Sequence, residues 1–244
     1  MSSADSSSLL DTALTAHGGL DRWDQLQHLM LDVRMRGNIL LLKGRSPFIG
    51  RLHVVVDTRR VHAVLTPFPR AGCRGIFDAD GVRIETDDGR LVATQPTPRD
   101  RALKRRLFWR DVDVLYFLGY ALWNYSVTPF VFTWPGFATR EGERYVIEDG
   151  STWRTLHVQF PSNVPTHSRA QTFYFDDRGL LRRLDYTAEV FASFAHGVHL
   201  CEAHRNFDGF VIPTHRIVHP RRANSAPFRP IRVMEGWVDA VRFA

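Results

Sequence analysis

Cysteine is nearly absent from this chain, whose 244 residues include only Cys73 and Cys201. Two cysteines without the spacing of metal ligands support neither a disulfide framework nor a zinc site. A chain of this length can bury about 70% of the surface that it exposes when unfolded, so it needs no cross-links. We expect both thiols to remain reduced.

Long apolar runs are also missing. The most apolar stretch, residues 114–123, is about half as long as a helix that spans a bilayer. Extending it to Phe132 would include Asn124 and Pro129, so we predict a buried helix with no stable membrane insertion. The N-terminal residues lack the basic region, the apolar core and the cleavage motif of a secretory signal. These absences predict a cytoplasmic protein.

The common motifs of nucleotide, cofactor and metal binding do not occur. The sequence has no Walker loop, no GxGxxG after a strand, no GxSxG and no HExxH. We therefore expect no cofactor, and we assign no metal site. Any reactive site has to be assembled by the pairing of distant strands.

Positive charge is in excess, with a formal net charge of +6. One basic run, RDRALKRR, covers residues 99–106, but the other arginines are scattered among acidic residues. No recognised nucleic-acid-binding motif accompanies them. Charge alone is a weak indication, so we expect no nucleic-acid partner.

Strand-like segments with tight turns make up most of the chain. Asp80-Gly81, Asp88-Gly89 and Asp208-Gly209 are strong hairpin signals, because a type I′ turn needs positive φ. The order of helix, strands, helices and strands favours one antiparallel sheet with its helices on one face, and parallel βαβ alternation is absent. We predict a single β-rich α+β domain over residues 1–244.

A strongly apolar, aromatic helix is predicted between the two β-rich regions. A helix that is apolar on nearly every side is buried on nearly every side. A curved, incomplete β-barrel around it, with an apolar cavity, would meet this requirement. The aromatic side chains are either packed as core or hold an apolar ligand. The predicted ligand-binding residues are Tyr116, Tyr120, Trp123, Leu184, Leu200 and Ile217.

This layout resembles the LolA/LolB-type lipoprotein-carrier fold, an incomplete β-barrel covered by helices around a hydrophobic cavity. The resemblance rests on the opening helix ending AHGGLDRW, the Asp-Gly meander, the internal helices, and the late segments QTFYFDDRGLLRRLDY and HRNFDGFVIPTHR. The chain departs from the periplasmic carriers in having no export signal and no lipidated cysteine. We therefore do not expect it to shuttle lipoproteins, and we transfer no functional residues from the family.

The turn at Asp208-Gly209 fixes a register for the last clear hairpin. Glu202 then faces His215, and His204 faces Pro213. Because side chains alternate along a strand, two sets of residues lie on opposite faces. One face carries Leu200, Glu202, His204, His215 and Ile217, and the other carries Cys201, Ala203, Arg205, Thr214 and Arg216.

We predict that the first of these faces lines the cavity, because the arginine-rich face suits solvent. On the neighbouring strand, Leu184 and Tyr186 would share the cavity side, opposite Arg183 and Asp185. The polar residues placed inside are Tyr186, Glu202, His204 and His215. They could form a general acid–base site, a site for iron or zinc, or a satisfied structural network. The faces could also be inverted, which would leave these residues in water.

Two functions fit this prediction. The first is the binding of a lipophilic small molecule, a lipid or an apolar metabolite, in the cavity. The second is a cofactor-independent enzyme, such as a cyclase, isomerase or hydrolase of a hydrophobic substrate, with Tyr186, Glu202, His204 and His215 as acid–base residues. The sequence indicates neither the identity of the ligand nor the oligomeric state.

Overall fold

The chain opens with two short helices. The computed structural model describes residues 8–97, 103, 106–147 and 150–244. Helix α1 spans Leu9–Ala16 and α2 spans Leu20–Trp23. The Ser8 hydroxyl caps α1 by accepting a hydrogen bond from the backbone N–H of Asp11 at 3.1 Å. The cap satisfies one of the N–H groups that a helix start leaves unpaired.

The described residues contain fourteen strands, one long helix and two 3₁₀ helices. The strands are β1 (His28–Arg36), β2 (Phe48–Asp57), β3 (His62–Thr66), β4 (Cys73–Asp78), β5 (Gly81–Thr86), β6 (Leu91–Pro96), β7 (Ala138–Glu141), β8 (Tyr145–Val146), β9 (Thr152–Gln159), β10 (Ala170–Phe175), β11 (Leu181–Thr187), β12 (His196–Phe207), β13 (Phe210–Pro220) and β14 (Met234–Phe243). The long helix, α3, spans Asp111–Val127, and the 3₁₀ helices span Asn38–Lys43 and Phe130–Thr133.

All fourteen strands join one antiparallel sheet that does not close. Their order is β6-β5-β4-β3-β2-β1-β14-β13-β12-β11-β10-β9-β7, and β8 pairs with β9. Strand β14 lies between β1 and β13, so the end of the chain joins the two halves of the sheet. In the described part of the chain, β6 and β7 remain the two edges. The prediction of a mainly β, incomplete barrel is confirmed.

Helix α3 lies inside the concave side of the sheet, pressed against β4. A Cβ atom on Gly119 would lie 2.5 Å from Cβ of Phe77, and one on Gly75 would lie 2.5 Å from Leu115. Only glycine therefore allows this approach of helix to strand. Because α3 is held close to β4, space remains between the helix and the opposite side of the sheet.

A buried carboxylate anchors the start of α3. Asp113 is fully buried and forms ion pairs with Arg106 and Arg110, and its Oδ2 accepts the backbone N–H of Arg110 at 2.8 Å. The basic run of residues 99–106 lies largely outside the described residues. Within the described ranges, no helix has both the length and the apolar character needed to cross a membrane.

The outer face of β11 is not the solvent face that the sequence suggests. Arg183 and Asp185 lie on this face, yet both are buried. Their side chains form a two-pronged ion pair at 2.6 and 2.7 Å, and the rings of Tyr145 and Tyr174 lie against the guanidinium. The assumption that arginine marks the wet face is wrong here, because the charge is neutralised by its neighbour two residues along the strand.

Candidate functional site

A cavity lies between α3 and the strands β1, β13 and β14. On the helix it is lined by Phe117, Leu118, Ala121, Leu122 and Tyr125. It offers about 100 Å³ to the centres of water-sized molecules. This is several times the roughly 10–15 Å³ that one buried water needs on the same measure.

The sheet side of the cavity is formed by β1, β13 and β14. Strand β1 contributes Leu29, Leu31, Val33 and Met35, which alternate with outward-facing residues. Side chains from β13 and β14 continue this wall, and Gly236 leaves it without a side chain at one point. The lining is therefore mostly apolar, with polar groups concentrated at a few positions.

The six predicted ligand-binding residues do not line this cavity. The indole N–H of Trp123 donates to the backbone oxygens of Asp57 and Arg60 on the far side of α3. Tyr116 and Tyr120 pack against each other within the core. Ligand binding by these residues stays a prediction, but it would take place outside this cavity. Helix α3 is buried all round, so its hydrophobicity does not show which side faces the cavity.

The three predicted leucine and isoleucine contacts lie elsewhere. Leu184 is on the inner face of β11 but is covered by core side chains. Leu200 pairs with Ile217 on the outer face. Both are buried there, and neither lines the cavity.

The hairpin register is confirmed, but its faces are inverted. Glu202 pairs with His215 and His204 pairs with Pro213, as predicted. However, Leu184 of β11 pairs with His199, so the residues that share its face are His199, Cys201 and Arg216. The sequence could not give this alignment, because β11 and β12 are joined by residues 188–195 and not by a tight turn.

Glu202 and His215 therefore lie on the outer face of the sheet. His215 Nδ1 is 3.4 Å from Glu202, its Nε2 is 3.0 Å from Glu235, and its ring stacks on Trp237. The Glu202 side chain is 44% exposed. Catalysis by this pair stays a prediction, but it would take place on the outer surface and not in the cavity.

His204 and Tyr186 have different positions. Ala203 has a φ of 51°, which interrupts the alternation just before His204. The His204 imidazole donates from Nε2 to the Leu181 carbonyl at 2.9 Å and does not line the cavity. Tyr186 does line the cavity, as predicted.

His199 is the residue that the sequence interpretation missed. It lines the cavity and is only 2% exposed, and neither of its ring nitrogens has a partner in the described part of the chain. Its ring stands at 87° to that of Tyr125, with the centroids 4.6 Å apart. Burial lowers the pKa of His199 well below its usual value, so the ring is neutral near pH 7. Each unpaired buried nitrogen costs about 1–3 kcal/mol.

Arg216 brings a positive charge to the same wall. One of its N–H groups donates to the Cys201 sulfur at 3.0 Å and another to the backbone oxygen of Tyr125 at 3.2 Å. A guanidinium has five N–H donors, and the described residues supply no further acceptor and no carboxylate for an ion pair. Its central carbon lies 5.2 Å from the centroid of the Tyr125 ring.

Three tyrosines that are hydrogen-bonded to His167 or to one another complete the polar part of the site. The His167 Nδ1 is 3.0 Å from the Tyr120 hydroxyl, and its Nε2 is 2.5 Å from the Tyr125 hydroxyl. The Tyr125 hydroxyl donates to that of Tyr186 at 3.4 Å, and the Tyr186 ring stacks on His167. Burial lowers the pKa of His167 to about 3 and raises the pKa values of all three phenols. All four groups are therefore neutral near pH 7.

His17 shows what a satisfied buried histidine looks like in this protein. Its Nδ1 donates to the Val211 carbonyl at 2.8 Å, and its Nε2 accepts the backbone N–H of Leu181 at 3.1 Å. It thereby ties the end of α1 to β11 and β13. Among the described residues, no group of three or more histidine, cysteine, aspartate or glutamate side chains is placed to hold a metal ion.

Comparisons with known proteins identify the fold. No protein-family model matches the sequence, and no curated protein matches it. A DUF1329 family protein from Desulfovibrio piger ATCC 29098 has a similar structure, with a TM-score of 0.54 and 11% identity over 96% of this chain and 91% of that one. The LolA superfamily protein NE2245 from Nitrosomonas europaea is similar with a TM-score of 0.53 and 11% identity, over 95% of this chain and 93% of that one. The fold is therefore LolA-like.

Proposed function

We propose that this LolA-like half-barrel binds a lipophilic small molecule, a lipid or an apolar metabolite, in the cavity between α3 and β1, β13 and β14. The observation that carries the proposal is a mostly apolar cavity inside an otherwise packed core. Such concave apolar sites with few polar groups are the usual form of small-molecule sites. Transfer of an apolar ligand from water into this space is favoured by the hydrophobic effect.

Small residues on both walls support this interpretation. Ala121 lines the cavity from α3, and Gly236 lines it from β14. A Cβ atom on Gly236 would make only ordinary contacts, the nearest being the Arg34 backbone oxygen at 3.7 Å. The space therefore results from side chains that are small where larger ones would fit.

The test is to fill the cavity and measure binding of a neutral apolar dye. We expect N-phenyl-1-naphthylamine to fluoresce with the wild-type protein, and Ala121→Leu and Gly236→Leu to weaken its binding at least tenfold. Native mass spectrometry of the purified protein should also show an apolar molecule that leaves on delipidation. The matched control is Ala71→Leu, which adds the same atoms at an exposed turn and should change nothing.

Stability distinguishes a real cavity from a packed core. Overpacking a filled core typically costs about 1–3 kcal/mol, whereas a side chain that enters free space costs little. We expect Ala121→Leu to unfold at the same urea concentration as the wild type. Equal dye binding by the wild type and both filled variants would contradict the proposal.

A further inference from the structure

We propose that the ligand is a lipophilic acid, and that its carboxylate is held at the inner wall by the Arg216 guanidinium and the His199 imidazole. This inference rests on the proposed function and adds the chemical class of the ligand. It starts from two groups that line the cavity and lack the partners that their chemistry requires.

The positive charge of Arg216 at this wall would be balanced by one bound anion. Arg216 is half-buried and forms no ion pair with any carboxylate in the described ranges, and three of its five donors have no acceptor there. Glu235 is the one carboxylate among the lining residues, and it is already bound by Arg232 and His215. The site therefore carries one uncompensated positive charge, which matches a singly charged carboxylate.

The positions of the two groups suit a single small head group. His199 and Arg216 lie on the same face of the adjacent strands β12 and β13. Arg216 is paired with Cys201, which lies two residues after His199, so the two side chains are diagonal neighbours. Both also lie against the Tyr125 ring, at 4.6 Å for the His199 centroid and 5.2 Å for the Arg216 central carbon. A carboxylate beside this ring can accept from the guanidinium and from one imidazole N–H. Guanidinium–carboxylate contacts are strong because both partners are charged and their geometries match.

The rest of the cavity suits the apolar body of such an acid. The walls beyond this corner are the row from Leu29 to Met35 on β1 and the side of α3 from Phe117 to Leu122. An amphipathic acid would bury its chain there and keep its head at Arg216. A neutral apolar molecule would leave the guanidinium and the imidazole without partners.

The test compares decanoic acid with decan-1-ol by isothermal titration calorimetry at pH 7.5, where the acid is ionised. We expect the wild type to bind the acid roughly 10- to 100-fold more tightly than the alcohol, the range that charge-assisted hydrogen bonds provide. Arg216→Met, which keeps the length of the side chain but removes the charge, should abolish this preference by weakening the binding of the acid. Arg216→Gln, which keeps a neutral donor and serves if the methionine variant does not fold, should also reduce it.

The control is Arg205→Met, which removes the same charge from the same hairpin. Arg205 is exposed, lies over the Phe207 ring and is not among the residues that line the cavity, so its loss should leave the preference intact. If the wild type binds acid and alcohol equally, or if folded Arg216 variants keep the preference, the carboxylate site is refuted while lipophilic binding stands. If neither probe binds, the proposed function itself fails.

Discussion

Replacing His199 by leucine should make the ligand-free protein more stable. This is unusual for a core substitution, because most of them destabilise. The reason lies in the two ring nitrogens, which are buried in the cavity wall without hydrogen-bond partners in the described structure. Leucine has a similar volume and no polar atoms, so it removes the cost of burying unpaired groups.

The size of the effect follows from that cost. One unpaired buried polar atom costs about 1–3 kcal/mol, and the perpendicular Tyr125 ring offers only a weak substitute for an acceptor. We expect a gain in the free energy of unfolding of at least about 1–3 kcal/mol, the cost of one of the two nitrogens. For a chain of this size, about 1–3 kcal/mol corresponds to a rise of about 2–12 °C in Tm.

The gain should increase at acid pH. Burial lowers the pKa of His199 well below 6.5, so the unfolded chain binds a proton below pH 6.5 that the native protein does not bind. The wild type therefore loses up to about 1.4 kcal/mol per pH unit below 6.5 through this residue, and the leucine variant does not.

The assay is urea and thermal unfolding of delipidated protein at pH 7.5 and 5.5, with two other buried histidines for comparison. His17→Leu would leave the Val211 carbonyl and the Leu181 N–H unpaired. His167→Leu would remove the ring nitrogens that contact the Tyr120 and Tyr125 hydroxyls, and the Tyr125 hydroxyl would keep only its contact with Tyr186. Both should destabilise the protein. If His199→Leu destabilises it as much as they do, His199 is a satisfied structural residue, and its part in the site is refuted.

Three further predictions concern residues that hold the helices and strands around the cavity. Gly119→Ala should lower the free energy of unfolding by about 1–3 kcal/mol, because the new Cβ would lie 2.5 Å from Phe77. This cost exceeds the better helix propensity of alanine. Urea unfolding measures the change, and an unchanged midpoint would contradict the close contact between helix and strand. Asp185→Asn should lower the free energy of unfolding by about 3–5 kcal/mol, because it leaves the buried Arg183 charge unpaired. In the same assay, a decrease of less than about 1 kcal/mol would contradict an ion pair that is shielded from water. Burial lowers the pKa of His17 to about 4. Between pH 6.5 and 4 this histidine is therefore protonated only in the unfolded state, and the free energy of unfolding decreases as the pH is lowered. His17→Gln should flatten that slope, and an unchanged slope would rule out this source.

Local chemistry explains what the sequence interpretation predicted correctly. Ser8 is a good helix cap in any context, and Asp208-Gly209 sets a two-residue turn that fixes the pairing of Glu202 with His215. The burial of α3 follows from a helix that has no polar side. The open antiparallel barrel follows from many short strands joined by tight turns around such a helix.

The site itself could not be predicted in the same way. Alternation along β12 and β13 separates the side chains into two sets correctly, but it does not say which set faces inward. That depends on the pairing of Leu184 with His199 across the connection of residues 188–195, which has no turn signal. The composition of the faces was misleading too, since Arg183 is buried outside the barrel and Arg216 lines the cavity inside it.

The sequence by itself determined the elements, the tight hairpins and the need to enclose an apolar helix, because propensity, turn geometry and hydrophobicity act between near neighbours. Only the tertiary structure decided where the free space lies and which polar groups enter it. Gly75 and Gly119 allow α3 to lie close against β4, and the cavity lies on the other side of the helix. That choice depends on contacts between residues far apart in the chain, which no local pattern encodes.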